Sequence, residues 1–226
     1  MKICFLGTAA DDWFWAKPQD GSEFRRRCAA LIDDELLIDP GPQVLGACED
    51  FNKDISKIRY MITTHRHSDH FNLETVAKLE EAGATFIELK DKDKVQVGKY
   101  TICAYQGNHG TCKDTLHFII SDGKKTLFYG LDGAWLLYDE VCGIKEYTPD
   151  FAVFDATIGD IDGDYRIFEH NNLQMVLEMQ KTLKPYIKQF CISHMAYTLH
   201  TDHETTAKKM QMYDIITAYD GLEVEL

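Results

Sequence analysis

Six residues concentrate the chemistry of this chain. His65-Arg66-His67-Ser68-Asp69-His70 sets three imidazoles and a carboxylate directly after the apolar, β-branched segment 58–64. Imidazole nitrogens and carboxylate oxygens are the donors that a borderline divalent cation takes, zinc first, with manganese or iron as alternatives. The segment 58–64 reads as a buried strand running into a loop. Side chains alternate along extended backbone, so His65, His67 and Asp69 project together, and His70 joins them only where the backbone turns into a helix. Asn72 supplies the cap of that helix, ahead of Leu73, Val76, Ala77 and Leu79, and Gly83 closes it. A solvated, histidine-rich turn is the plain alternative, and so many ligands just past a strand weigh against it.

The rest of the chain must position this cluster. With 226 residues, 45% hydrophobic and 12% aromatic, it has material for one domain, residues 1–226, with a large core. A formal net charge of −13 argues against an extended nucleic-acid surface, which needs a cationic face to displace counterions from phosphate. It is compatible with a small anionic substrate, because bound divalent ions reverse the field inside a pocket. The seven cysteines are scattered and never spaced C-x-x-C, which favours a reducing, cytoplasmic setting over a disulfide framework. No apolar run approaches a membrane span and the first residues do not form a signal peptide. Self-association stays open.

Further candidates stand where predicted strands end. Strands over residues 2–6, 29–32, 36–38, 100–105, 116–120, 126–129, 151–155 and 187–192 alternate with helices over 41–51, 135–144 and from 173 onward, an α/β pattern. His109, Asp132 and His194 each follow one of these strands, and Asp155 ends one. Asp155 reads as an acceptor that orients a ligand histidine, or as a turn residue; the first is preferred, because a metal-bound imidazole usually donates its other N–H. His117, in mid-strand, reads as structural, and His170 by itself reads as a polar residue at a helix start. Arg25-Arg26-Arg27 in an acidic protein suggests phosphate binding, since guanidinium forks match phosphate oxygens. Internal ion pairs or a solvated turn are the equal alternative, and in a strand only alternate arginines face one side. The rings of Trp13, Phe14 and Trp15 read as cover for a satellite core, or as the lining of a pocket mouth.

The segment His65-Arg66-His67-Ser68-Asp69-His70 resembles the H-x-H-x-D-H signature of the metallo-β-lactamase superfamily. The resemblance implies a four-layer αββα metallo-β-lactamase sandwich, α/β (α+β) in class, with a two-metal hydrolytic site. It implies one ion on His65, His67 and His109 and the other on Asp69, His70 and His194, with Asp132 between them. Two divalent ions, zinc most readily and manganese as the alternative, held about 3.5–4 Å apart, bridge a hydroxide nucleophile and clamp the oxygens of a phosphoryl or carbonyl centre.

Within the superfamily the chain is most similar to the PhnP-type phosphodiesterases of phosphonate breakdown, which open phosphoribosyl 1,2-cyclic phosphate. Phe24-Arg25-Arg26-Arg27, Leu37-Ile38-Asp39-Pro40-Gly41, Asn108-His109, Asp132, His170-Asn171-Asn172-Leu173 and Ile192-Ser193-His194 carry that likeness. It implies catalytic roles for Asp69 and for His170, the latter as leaving-group acid, and a small cyclic or linear phosphodiester as substrate. The chain departs from the family at Trp13, Phe14 and Trp15, where many members carry a cysteine-rich zinc knot. Alternatives are a carbonyl-centre hydrolase acting on a lactone, thioester or β-lactam, and a small ribonuclease, for which no basic arm exists. A different class, a non-catalytic or mono-iron redox metal protein, is disfavoured: flavodiiron relatives place a carboxylate where His67 stands, and His70, His194 and Asp132 together call for two ions.

Overall fold

The structure is a computed structural model that describes residues 1–226. They divide into two compact units, residues 1–89 with 218–225, and residues 90–217 with Leu226. Each is a mixed α/β assembly, and no helix is long and apolar enough to cross a membrane.

In the first unit, β1 (Lys2–Gly7), β2 (Ala29–Ile32) and β3 (Leu36–Ile38) run antiparallel in sequence order. After α1 (Val44–Asp50) the chain returns as β4 (Tyr60–Ile62), parallel to β3 with Ile38 opposite Ile62. Helix α2 (Leu73–Glu81) then leads to the short β5 (Thr85–Phe86) beside β4. Asn72 caps α2 by accepting from Thr75 N at 2.9 Å, as its position ahead of an apolar periodic segment predicts. The helices bury Val44, Ala47, Cys48, Val76 and Leu79 against Cys4, Leu6, Leu31, Leu37 and Met61 of the sheet. Each fully buried aliphatic side chain of this kind contributes about 1.5–3 kcal/mol.

The second unit begins with β6 (Lys94–Val97), β7 (Tyr100–Gln106), β8 (Leu116–Ser121) and β9 (Thr126–Gly130), an antiparallel meander. From β9 onward the pairing turns parallel. Helices α3 (Tyr138–Tyr147), α4 (Leu173–Leu183) and α5 (His203–Gln211) alternate with β10 (Phe151–Asp155), β11 (Gln189–Ser193) and β12 (Ile215–Thr217). Strand β10 is buried at every position, the continuous apolar run that a central parallel strand requires. Phe128, Phe154 and Phe190 pack side by side across β9, β10 and β11 at ring separations of 5.6 and 5.7 Å, in one core cluster with Leu173, Val176, Leu177 and Leu183 of α4. The last strand, β13 (Glu223–Glu225), belongs to the first unit and pairs antiparallel with β1.

Helix α3 starts three residues later than the sequence pattern predicts. Trp135 lies in the left-handed region at φ 42°, and its N–H is taken by the Asn171 side chain at 2.9 Å, so the turn from 131 to 137 stays outside the helix.

Candidate metal centre

Parallel strands bring their C-terminal ends together at one edge of a sheet, and ligands tend to be gathered there. Both units use this. In the first, β3 and β4 end side by side, so Asp39 falls opposite Thr63 and Thr64, with Asp39 N donating to Ile62 O at 2.9 Å. The chain then turns at residues 67–71, where His70 N and Phe71 N both donate to His67 O at 3.0 Å. That turn folds His70 back against His65, with ring centroids 4.5 Å apart, while the His67 ring stands 4.4 Å from His65. Asp69 Oδ2 lies 3.4 Å from His70 Nε2. The first unit therefore brings together His65, His67, Asp69 and His70, of which His65, Asp69 and His70 are buried. Gly41 lets the turn approach, since a Cβ there would meet Asp69 O at 2.6 Å.

Asp39 organises this group. Its Oδ1 accepts from Thr64 N at 2.7 Å and its Oδ2 from His70 Nδ1 at 2.9 Å. Thr64 Oγ1 donates to the same carboxylate and stands 3.0 Å from His65 Nδ1, where it accepts. In this arrangement Nδ1 of each imidazole is directed at its oxygen partner and Nε2 is turned away from it, the orientation that a neighbouring carboxylate imposes on a metal-binding histidine. Asp39 is fully buried and its φ of 60° is in the left-handed region, where Asp is tolerated better than most residues.

The second unit repeats the device. β9, β10 and β11 end in register, with Phe154 opposite Gly130 and Asp155 opposite Ser193, so Asp132, Asp155 and His194 emerge at one edge. Asp155 Oδ2 accepts from His170 Nδ1 at 2.8 Å and from Thr157 Oγ1 at 3.0 Å, and that hydroxyl accepts from His194 Nδ1 at 2.7 Å. His194 Nε2 is left facing Asp132 Oδ2 at 3.1 Å. Ligand atoms of Asp132, Asp155, His170 and His194 all lie within 4.8 Å of one another, and so do those of His109, Glu169 and His170. His109 donates from Nδ1 to Glu169 O at 3.3 Å, and its Nε2 stands 3.3 Å from Thr111 Oγ1. Asp132 and His194 adopt φ of 55° and 60°, a backbone conformation uncommon outside glycine that recurs at functional strand ends.

The electrostatics follow from burial and pairing. Burial alone would raise the Asp155 carboxyl, but the imidazoles beside it, His170 foremost, reverse the effect and hold it below the usual carboxylate range. For His170, burial works against the charged form but is outweighed by Asp155, with Asp132 and Glu169 adding, so its pKa rises to about 9. His170 keeps Nε2 available, since Nδ1 is committed to Asp155.

Histidine Nε2 atoms facing carboxylate oxygens, as in His70 and His194, with Nδ1 of His65, His70, His109 and His194 held from behind, fit a borderline divalent cation such as zinc. The residues that set this orientation, Asp39, Thr64 and Thr157, were not singled out from sequence for the task. The one signal that could have marked Asp39 is the one that marked Asp155, a carboxylate ending an apolar strand.

His117, read as structural, is buried, with Nδ1 2.5 Å from Glu140 Oε1 and Nε2 3.0 Å from Leu131 O. The arginines are engaged internally. Arg25 is buried and donates to Thr8 Oγ1 at 2.7 Å and Ala218 O at 2.9 Å. Arg26 pairs with Asp50 and packs over Phe24 and Phe51. Arg27 donates to the carbonyls of Phe14 and Asp11, both at 2.8 Å, and stacks on Trp15. These contacts match the internal-pair alternative and pin the aromatic segment, in which Trp13 is buried while Phe14 and Trp15 are exposed.

The sheets, their helices and the strand-end clusters define the metallo-β-lactamase fold, and comparison with solved structures bears this out. The metallo-β-lactamase fold protein YhfI from Bacillus subtilis superposes with a TM-score of 0.76 at 16% identity, over 100% of this chain and 99% of that one. A diphosphatase of the PhnP family gives 0.75 at 17% identity, over 100% and 97%. Zn(2+)-bound PqqB from Methylobacterium extorquens gives 0.70 at 15% identity, over the whole of both chains. No family model matches the sequence.

Proposed function

We propose that the protein is a metal-dependent hydrolase, a phosphodiesterase acting on a small cyclic or linear phosphodiester. The observation that carries this reading is the pair of oriented donor clusters, above all His194 Nε2 against Asp132 Oδ2 at 3.1 Å with Nδ1 secured by Thr157. In the proposed centre His65, His67 and His109 would hold one divalent ion and Asp69, His70 and His194 the other, with Asp132 contributing to both. Zinc is preferred, in keeping with zinc-bound PqqB of the same fold, and manganese is the alternative. Bound ions of this kind supply Lewis acidity, an activated water and neutralisation of phosphate charge.

The chain's own residues do the rest. Asp39 and Thr64, and Asp155 and Thr157, keep the ligand imidazoles in the metal-binding tautomer. His170, anchored through Nδ1 on Asp155, holds a proton at Nε2 for the departing oxygen, the role of a general acid. Asp69 combines ligation with orientation of the attacking water. The guanidinium groups of Arg25, Arg26 and Arg27 are engaged within their own unit, so recognition of the anion falls to the cations. A phosphoryl rather than a carbonyl centre is favoured by the fold's likeness to a PhnP-family diphosphatase.

The test is turnover of bis-p-nitrophenyl phosphate beside phosphomonoester, lactone and thioester panels, after loading with zinc or manganese. Diester hydrolysis well above the other classes is expected. Lactone or thioester turnover with none of the diester would replace this reading by the carbonyl-centre one.

A further inference from the structure

The turn after β9 is held with unusual completeness. Its residues Leu131, Asp132 and Ala134 are buried. The Leu131 carbonyl accepts from His117 Nε2 at 3.0 Å, the Gly133 carbonyl from Asn171 Nδ2 at 2.8 Å and the Ala134 carbonyl from Asn108 Nδ2 at 2.5 Å. The N–H of Ala134 returns to Asn108 O at 3.0 Å, and that of Trp135 goes to Asn171 Oδ1 at 2.9 Å. Two residues of the turn, Asp132 and Trp135, sit in the left-handed region at φ 55° and 42°. Non-glycine residues persist there only where the surroundings over-determine the backbone. Local sequence does not stabilise this turn; side chains from other elements do.

Asn171 is the member of that set with a second allegiance. Its carboxamide grips the turn on both sides of Ala134, oxygen to the Trp135 N–H and nitrogen to the Gly133 carbonyl. Its own backbone N–H donates to Asp155 Oδ1 at 3.0 Å, on the carboxylate whose other oxygen holds His170. Its carbonyl accepts from Ile158 N at 3.1 Å. Every polar group of the residue is used, in a buried position directly after His170.

We infer that Asn171 is a positioning residue that fixes the Asp132 carboxylate relative to the His170 imidazole, so that the ligand and the proton donor are set by one side chain and its backbone. The inference rests on the proposed roles of Asp132 and His170. Substitution by Asp keeps the acceptor for Trp135 N–H but turns a carboxylate oxygen against the Gly133 carbonyl. Substitution by Ala removes both bonds. In either case the turn relaxes toward ordinary backbone angles and carries Asp132 with it.

The experiment measures zinc affinity by chelator competition for wild type, Asn171→Asp and Asn171→Ala. Asn172→Ala is the control: Asn172 caps α4 through Met175 N at 2.8 Å, so its loss lowers stability without touching the turn. Removing a group that supports a metal ligand typically weakens binding about 10–100-fold. That weakening is expected for both zinc ions, which Asp132 is proposed to share, in both Asn171 variants and not in Asn172→Ala, even where melting temperatures fall equally. With diester substrates, kcat is expected to drop more than KM changes, and more for poor leaving groups than for good ones. Zinc affinities within twofold of wild type for a folded Asn171→Asp protein would overturn the inference, as would an equal loss in Asn172→Ala. Should Asn171→Ala fail to fold, Asn171→Asp, which is nearly isosteric, decides. Wild-type protein that binds two zinc ions but cleaves no phosphodiester refutes the functional reading instead, and the zinc measurements still judge Asn171.

Discussion

Replacing Asp39 by Asn tests the orienting arrangement most directly. The carboxylate divides its oxygens, Oδ1 to Thr64 N at 2.7 Å and Oδ2 to His70 Nδ1 at 2.9 Å, in a fully buried setting. An amide has one acceptor oxygen. If it faces Thr64 N, its NH2 points at His70 Nδ1, and the imidazole must move its proton to Nε2, the nitrogen meant for metal. If it faces His70, two N–H donors meet at Thr64. Either choice forfeits a hydrogen bond to a charged group, about 1.5–3 kcal/mol. At 1.4 kcal/mol per decade this weakens metal binding roughly 10–100-fold when the loss falls on His70. When it falls on Thr64 the same energy appears as lower stability of the metal-free protein. The assay is therefore paired: zinc affinity by chelator competition, and urea unfolding of the metal-free protein. The sum of the two penalties is expected to reach at least about 1.5 kcal/mol. A folded Asp39→Asn protein with both quantities at wild-type values would refute the claim that Asp39 sets the tautomer of His70.

The other predictions concern distinct elements. His170→Ala should slow diesters with poor leaving groups far more than those with good ones while zinc content stays at two, measured as a plot of rate against leaving-group pKa; parallel losses would count against its role as acid. Chelation of both ions should lower the melting temperature by roughly 10–20 °C, since each site at 100 times its Kd contributes about 2.7 kcal/mol and each kcal/mol shifts a chain of this size by about 2–4 °C. Glu140→Ala removes the carboxylate from the buried His117 Nδ1 and should destabilise the protein by about 3–5 kcal/mol in chemical unfolding, a cost that Glu140→Gln should reduce. Asp220 provides the pH test. Burial pushes its carboxyl up to about 6, partly offset by bonds from Arg26 N and Thr8 Oγ1 and by the charges of Arg25 and Arg26. A folded-state pKa above the unfolded value means that its contribution is present below about pH 4 and is lost as pH rises through 6, a total near 3 kcal/mol for about two units. Asp220→Asn should remove that decline from the difference between the two stability curves over pH 4–6.

Much of the architecture is written locally. The apolar runs at β1, β10 and β11, the caps Asn72 and Asn172, and the turn at Gly123 follow from residue types a few positions apart. So does the histidine and aspartate cluster of residues 65–70, because a strand, a tight turn and a helix start are each short-range events. His109, Asp132 and His194 were identifiable as candidates from their places after strands, and the resemblance to a known signature grouped them. What residue types could not assign was orientation. Asp39 and Thr64, separated by 25 residues in the bond that links them, become partners only through the parallel pairing of β3 and β4. Asp155 reaches His194 only because β10 and β11 end in register, and it reaches His170 through the segment that leads into α4.

Tertiary contacts also decided where local signals were even or misleading. Trp135 belongs to a helical pattern by sequence, and Asn171, 36 residues away, withdraws it from the helix by taking its N–H. The three arginines have the chemistry of phosphate ligands, and the carbonyls of Phe14, Asp11 and Ala218 together with Asp50 claim their guanidinium groups. The amino-acid sequence determined which donors this protein owns, since that depends on side-chain chemistry alone. Folding decided which nitrogen of His70 and His194 faces outward, because a proton's place on the ring depends on an acceptor, fixed by Asp39 or by Asp155 through Thr157, that only long-range strand pairing delivers.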